Sequence, residues 1–378
     1  MWVRLRLDIT WRDLALGLVY CLLPGRRSRA LSLAERAWSV DDPPLVTLSV
    51  RSGFDLALRA LRLPHGSEVM FTALNVPDMV EIVRVHGLVP VPVDIDPQGH
   101  VCADSLRRSL SPSSRMLVVS HLFGGRAPMD RVFDVLQGRD ITVVEDVAQG
   151  FRRVGDHGHP SSDVVLHSFG PIKTATALGG AVLRVASADH ARICLRFSLL
   201  KLLSSRAFSW AAYRGLRLAG CDVDALVNAS ARAFPREDGL RQFRVQPSTP
   251  LLRLLRRRWR TYEFGRLTRR DRRGRRLDAV IGQGRPASHG YWVYPMVVQD
   301  PQGECGRFQA AGFDATRYSR LTLVSTPDES KAPRQASGFW PRTVFLPWYP
   351  EMSDHAFERL SNLASESVLV PEDRRRLG

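Results

Sequence analysis

The chain has 378 residues, 44% hydrophobic and 24% charged, enough to bury a full core over about two domains and too apolar for a disordered chain. Its five cysteines (21, 102, 194, 221 and 305) form no CxxC pair, which argues against a zinc ribbon or a disulfide framework and fits a cytoplasmic protein; His157 and His159 are too isolated to mark a metal site. The formal charge of +16 resides entirely in two segments, 192–244 and 253–276, so an anionic partner would meet that region and not the rest.

Residues 1–44 read as an N-terminal packing segment. Thr10-x-x-Asp13 has the form of a capping box ahead of the apolar run 14–23, which Pro24-Gly25 ends. The run is too short to span a bilayer. A signal peptide has a similar profile, but Arg4, Arg6 and Arg12 are interleaved and no small-residue cleavage site follows Leu23.

From 45 to 190, apolar β-rich runs (68–73, 89–94, 116–120, 141–145, 164–168, 181–185) alternate with helix-period segments (53–62, 77–86, 103–110, 130–136). This spacing predicts an α/β domain core, a mostly parallel central sheet with helices on both faces, with ligands at the carboxyl ends of its strands. Residues 191–276 break the pattern as a basic, apolar-rich helical insertion. On an ideal helix, Arg192, Arg196, Arg206, Arg214 and Arg217 share one stripe. The stripe either faces solvent over a packed helix or lies on an anionic membrane as a peripheral contact. Residues 253–276 read as one Arg-rich helix ending near Gly274, either a solvated face or an anion-binding surface. No nucleic-acid module is recognisable, and no nucleic-acid partner is expected. Residues 277–378 read as a smaller C-terminal α+β domain: strand 291–298, helix near 302–311, strand 343–346, helix 354–364.

The densest chemistry lies between 145 and 180. Glu145-Asp146 ends one strand, with Gln149 just beyond. Ser168 ends the next strand, and Lys173 stands in the irregular stretch before Gly179-Gly180. Only three of the 54 basic residues are lysines (173, 201 and 331), and arginine cannot replace a deprotonatable amine. An amine and a carboxylate at one sheet edge suit Schiff-base chemistry. The amine condenses with an aldehyde cofactor, and the carboxylate keeps a ring nitrogen protonated as an electron sink. Arg51-Ser52-Gly53-Phe54-Asp55 opens an apolar-periodic helix, whose first N–H groups suit a phosphate. A surface salt bridge between Lys173 and Asp146 is the competing reading.

Several stretches recur together in one known order: Ser52-Gly53, Gly66-Ser67-Glu68-Val69, Pro90-Val91-Pro92-Val93-Asp94, His121-Leu122-Phe123-Gly124-Gly125, Glu145-Asp146-Val147-Ala148-Gln149, and Ser168-Phe169 ahead of Lys173. Through them residues 52–185 resemble the DegT/StrS-type aminotransferases, pyridoxal phosphate enzymes of fold type I that act mainly on keto sugars. The resemblance implies that Lys173 forms the Schiff base and shuttles a proton, and that Asp146 pairs with the pyridinium nitrogen. Gln149 would lie near the ring hydroxyl, and Ser168 with the backbone at Gly53 and Phe54 would hold the phosphate. His121 is a candidate for the ring-stacking residue, a hydrogen-bonded core histidine being the other reading.

The same resemblance implies pyridoxal 5'-phosphate as cofactor, pyridoxamine phosphate as intermediate and a homodimer. It further implies an amino acid donor such as glutamate and a keto sugar or related cyclic ketone as acceptor. There are departures. Phe54 replaces the family's threonine, and Asn75-Val76-Pro77-Asp78 replaces an aromatic segment. No Asn-x-Arg-Met motif follows residue 190; Arg244 is its candidate stand-in. These departures motivate a second reading, a catalytically lapsed chain that binds a membrane or a partner through 192–276.

Overall fold

A computed structural model of the chain describes residues 1–3, 7–23, 25–186, 240–282, 284–285, 289–317 and 319–367. Two helices come first, α1 (Trp11–Leu22) and α2 (Arg27–Trp38). There follow β1 (Leu45–Thr47), α3 (Val50–Leu61), β2 (Glu68–Thr72), β3 (Leu74–Asn75), α4 (Pro77–Val85) and β4 (Val89–Val93). Next are α5 (Ala103–Ser109), β5 (Ser114–Ser120), α6 (Met129–Leu136), β6 (Thr142–Asp146), β7 (Val164–Ser168) and β8 (Ala181–Val185). Beyond residue 239 come α7 (Thr249–Thr261), α8 (Gly265–Ile281), β9 (Tyr294–Val297) and α9 (Pro301–Ala310). The last elements are β10 (Thr322–Leu323), α10 (Arg334–Phe339), β11 (Thr343–Leu346) and α11 (Asp354–Glu366).

The central sheet has seven strands in the order β1-β8-β7-β6-β5-β2-β4. Only β8 runs against its neighbours. All six apolar runs of the sequence fall in it, and the short β1 joins them. Alternate residues feed two cores, as the strand period of two requires. Val69, Phe71, Met116, Val118 and Leu166 pack under α3 and α4. Met70, Leu117, Val119 and Val143 pack under α5 and α6. Burial on both faces is what makes such strands read as continuous apolar runs. A third cluster joins α2 and α7 to the sheet through Trp38, Phe151, Phe169 and Trp259. In the C-terminal part, β9 pairs antiparallel with β11, and α9 and α11 close their apolar face.

The Arg-rich stretch departs from expectation. It is two helices, and Gly274 lies inside α8 rather than at its end. The Tyr291 ring rests on that backbone, where a Cβ would meet it at 2.3 Å. Nor are all its arginines a solvated face or an anion-binding surface. Leu251, Leu252, Leu254, Leu255 and Trp259 of α7 are buried. Arg258 is buried with them and donates to the Asp13 carboxylate, the Thr176 carbonyl (3.0 Å) and the Asp8 carbonyl (2.6 Å). Arg273 reaches the Pro350 carbonyl at 3.1 Å and Asp354 at 2.7 Å. A guanidinium has five donors and no acceptor, so inside a protein it must collect carbonyls and carboxylates.

Thr10 caps α1 as its sequence proposes, accepting from the Asp13 N–H at 3.2 Å. Arg244 holds Asp55 of α3 through two bonds of 2.9 Å. The stripe of arginines from 192 to 217 lies outside the described residues.

Candidate active site

The carboxyl edges of β6 and β7 bring the predicted pair together. Asp146 is the last residue of β6 and is 8% exposed. One of its oxygens accepts the Ala148 N–H at 2.9 Å. The other takes no hydrogen bond among the described residues. Burial pushes the Asp146 carboxyl up, while the Ala148 N–H, Lys173 and His121 pull it back. Lys173 follows β7 by five residues, in a turn closed by its own N–H on the Gly170 carbonyl (3.0 Å). Burial pushes its amine down to about 8. Asp146 opposes that shift and the charges of Arg51 and Arg320 add to it. Each group thus feels the other's charge, across two adjacent strand ends.

Around this pair, Ser168 ends β7 with its hydroxyl 3.5 Å from the Gly170 N–H. Gln149 turns its side-chain oxygen to the Phe123 N–H at 2.8 Å. Two expectations need correction. α3 begins at Val50, three residues before the predicted start, because Ser49 is its cap. The Gly53 N–H is therefore already donated to Ser49 (3.0 Å), and the Phe54 side chain is fully buried against Phe71. The Ser52 N–H meets the Ser49 hydroxyl at 3.2 Å. The donors left at this helix end are those of Val50 and Arg51, which precede the first intrahelical bond.

His121 is the second correction: of its two readings, the structure takes the hydrogen-bonded core histidine and not the ring-stacking residue. Its ring is 1% exposed and offers no face to a ligand. Nδ1 accepts the Ala127 N–H at 3.0 Å, so Nε2 carries the proton and donates it to Glu145 at 2.7 Å. Burial alone would raise the Glu145 carboxyl, but that bond and the His159 N–H hold it near 2.

Two residues at the site gave no sequence signal. The Trp292 ring lies under the Lys173 amine, 4.4 Å from Nζ to the ring centroid, and its indole N–H donates to the Ile172 carbonyl at 3.1 Å. Arg270 of α8 is buried and joins both sides of this contact. Its Nε donates to the Gly290 carbonyl at 2.9 Å, on the Trp292 loop. Its two terminal nitrogens lie 3.3 Å from the Thr174 hydroxyl, on the lysine turn. Arg270→Ala would strand both acceptors, and we expect a loss of about 2 kcal/mol or more in denaturant unfolding. Arg270→Lys cannot bridge both loops and should recover less than half of it. An unchanged unfolding midpoint in the alanine variant would disprove the clamp.

Residues 41–215 match the DegT/DnrJ/EryC1/StrS aminotransferase family. Among curated relatives, the L-glutamine:2-deoxy-scyllo-inosose aminotransferase of Micromonospora echinospora is 32% identical over 146 residues, 36% of this chain and 34% of that protein. The 3-oxo-glucose-6-phosphate:glutamate aminotransferase of Bacillus subtilis (strain 168) is 28% identical over 156 residues, 40% of this chain and 35% of that one. The matches thus span about a third of these relatives' length. In fold, the crystal structure of the sugar aminotransferase CalS13 from Micromonospora echinospora superposes with a TM-score of 0.72 at 18% identity, over 97% of this chain and 100% of that one. With its seven-stranded sheet and with Lys173 and Asp146 at one edge of it, the chain has the fold of these sugar aminotransferases, and its residues 41–215 match the DegT/DnrJ/EryC1/StrS aminotransferase family model.

Proposed function

We propose that the chain is a pyridoxal phosphate-dependent aminotransferase. It moves the amino group of an amino acid, glutamate or a close analogue, to a keto sugar or related cyclic ketone, and it works as a homodimer. One observation carries this reading: a lysine amine with its pKa depressed to about 8 and a buried carboxylate with one unpartnered oxygen stand at adjacent strand ends.

The donor set fits the cofactor. Asp146 offers an anionic oxygen to a protonated ring nitrogen. Ser168 and the first N–H groups of α3 offer donors to a phosphate. Gln149, bonded to the Phe123 N–H, would lie near the ring hydroxyl. When bound, pyridoxal phosphate supplies a ring that stores the electron pair released when a proton leaves the carbon bearing the amine. Lys173 supplies the attacking amine and afterwards holds or returns that proton at Nζ. Trp292 packs against Nζ and, through its bond to Ile172, fixes the height of the lysine turn. The cofactor-facing roles are those the family resemblance implies, and the placement of Asp146 and Ser168 at adjacent strand ends supports them. The keto-sugar acceptor and the glutamate donor rest on the kinship of residues 41–215.

The test is covalent capture. Protein incubated with pyridoxal phosphate and reduced with borohydride should carry the added mass on the peptide containing Lys173. An unmodified Lys173 peptide rejects the reading. A catalytically lapsed chain is the weaker alternative, because no observation favours it while both central groups are kept.

A further inference from the structure

α1 is apolar almost all round: between Trp11 and Leu22 it has only Arg12 and Asp13 as charged residues. A helix of that composition is ordinarily covered on every side. Here only the inner side is covered. Asp13 points in to Arg257 and Arg258, and Gly17 packs on Leu254. The outer side exposes Trp11 (81%), Leu18 (61%), Val19, Leu22 (80%) and Leu23. These are five of the thirteen large exposed hydrophobics among the described residues, so the patch is a concentration and not scatter. Positions 11, 15, 18 and 22 fall within about 60° of one line along the helix, and Ala15 is exposed among them.

The border of this face is basic. Arg12 and Arg26 are exposed near its two ends. Arg253 flanks it, 4.1 Å above the Tyr20 ring and bonded to the Leu23 carbonyl. No acidic residue occurs from 14 to 34, and the one carboxylate of α1 is turned inward and paired. We propose that the outer face of α1 seats the protein on an anionic lipid surface. The apolar side chains enter the boundary between headgroups and acyl chains, and the arginine border meets the lipid phosphates.

Charge decides between occupants. A two-fold contact centred on this face sets the patch against itself and brings basic border onto basic border, so the homodimer contact falls elsewhere. A lipid surface of opposite sign pairs the same charges. α1 has 12 residues, too few to cross a bilayer, so its contact with one is peripheral. Trp11 and Tyr20 are the side-chain types that settle at a headgroup boundary.

Flotation with two vesicle types tests this. Wild-type protein should float with phosphatidylcholine vesicles containing about one-third phosphatidylglycerol, and much less with phosphatidylcholine alone. The double substitution Leu18→Asp, Leu22→Asp should cut the floated fraction about tenfold or more. Its unfolding midpoint should not move, because both side chains are exposed. Three results overturn the proposal. One is wild-type protein that does not float at all. Another is a double variant that floats as well as wild type, which places the contact in the basic segments outside α1. The third is a double substitution that halves the solution mass and leaves flotation unchanged, which makes a second copy the occupant.

Discussion

Lys173→Ala is expected to lower amino transfer by about 10⁴-fold or more, because it removes the attacking nucleophile and the proton carrier together. The check is single-turnover formation of the new amine with glutamate as donor. A variant that retains wild-type turnover removes Lys173 from the chemistry. The wild-type pH profile tests the same residue without mutation. With its pKa at about 8, the amine is neutral in about one molecule in ten at pH 7, against fewer than one in about a thousand for an ordinary lysine. The rate of cofactor capture should therefore rise about tenfold per pH unit below about 8 and level off above it. A flat profile across that range contradicts the depressed pKa. Folded Lys173 releases its proton near pH 8, the unfolded chain only near 10.5. Between those values the unfolded state binds more protons, so this group's contribution makes the cofactor-free protein more stable as pH rises through that window.

The strands were legible because two-sided burial writes itself into sequence as runs such as Met116–Ser120 and Val164–Ser168. Lys173 and Asp146 were legible because each follows such a run by a short, countable distance. The helix start at Val50 was not, since Ser49 and Ser52 are both cap-forming types and only backbone geometry chooses between them. That three-residue difference moves the available phosphate donors from Gly53 and Phe54 to Val50 and Arg51. The arginines of α7 and α8 misled for another reason. Composition counts charges, but orientation decides solvation. The partners of Arg258 and Arg270 are as distant in sequence as Asp13 and Thr174, so no local pattern announces a buried guanidinium. Trp292 is the same case, a ring 119 residues from the amine it touches. His121 shows the limit of motif matching. The position fits the family's order, yet the Glu145 bond turns the ring into the core.

Asp146→Asn separates function from folding by the direction of its two effects. Asparagine keeps the shape and an oxygen for the Ala148 N–H, but its amide then turns a donor toward the cleft, where a protonated ring nitrogen would also be a donor. Activity should fall by about 10²–10³-fold, the scale of losing one preorganised electrostatic partner. Cofactor affinity should fall by about 2 kcal/mol, the scale of one charge-assisted hydrogen bond. The cofactor-free protein should behave oppositely. Burial raises the Asp146 carboxyl above its ordinary range. The folded state therefore holds its proton to higher pH than the unfolded chain, and above that window it carries an unfavourable buried charge. Replacing the charge with a neutral amide should leave the unfolding midpoint near neutral pH unchanged or higher. Cofactor titration and denaturant unfolding on the same preparation distinguish the cases. Weak binding with undiminished stability supports the ring-nitrogen role. A matching loss of stability in the absence of cofactor would mean that Asp146 mainly holds the edge of the sheet.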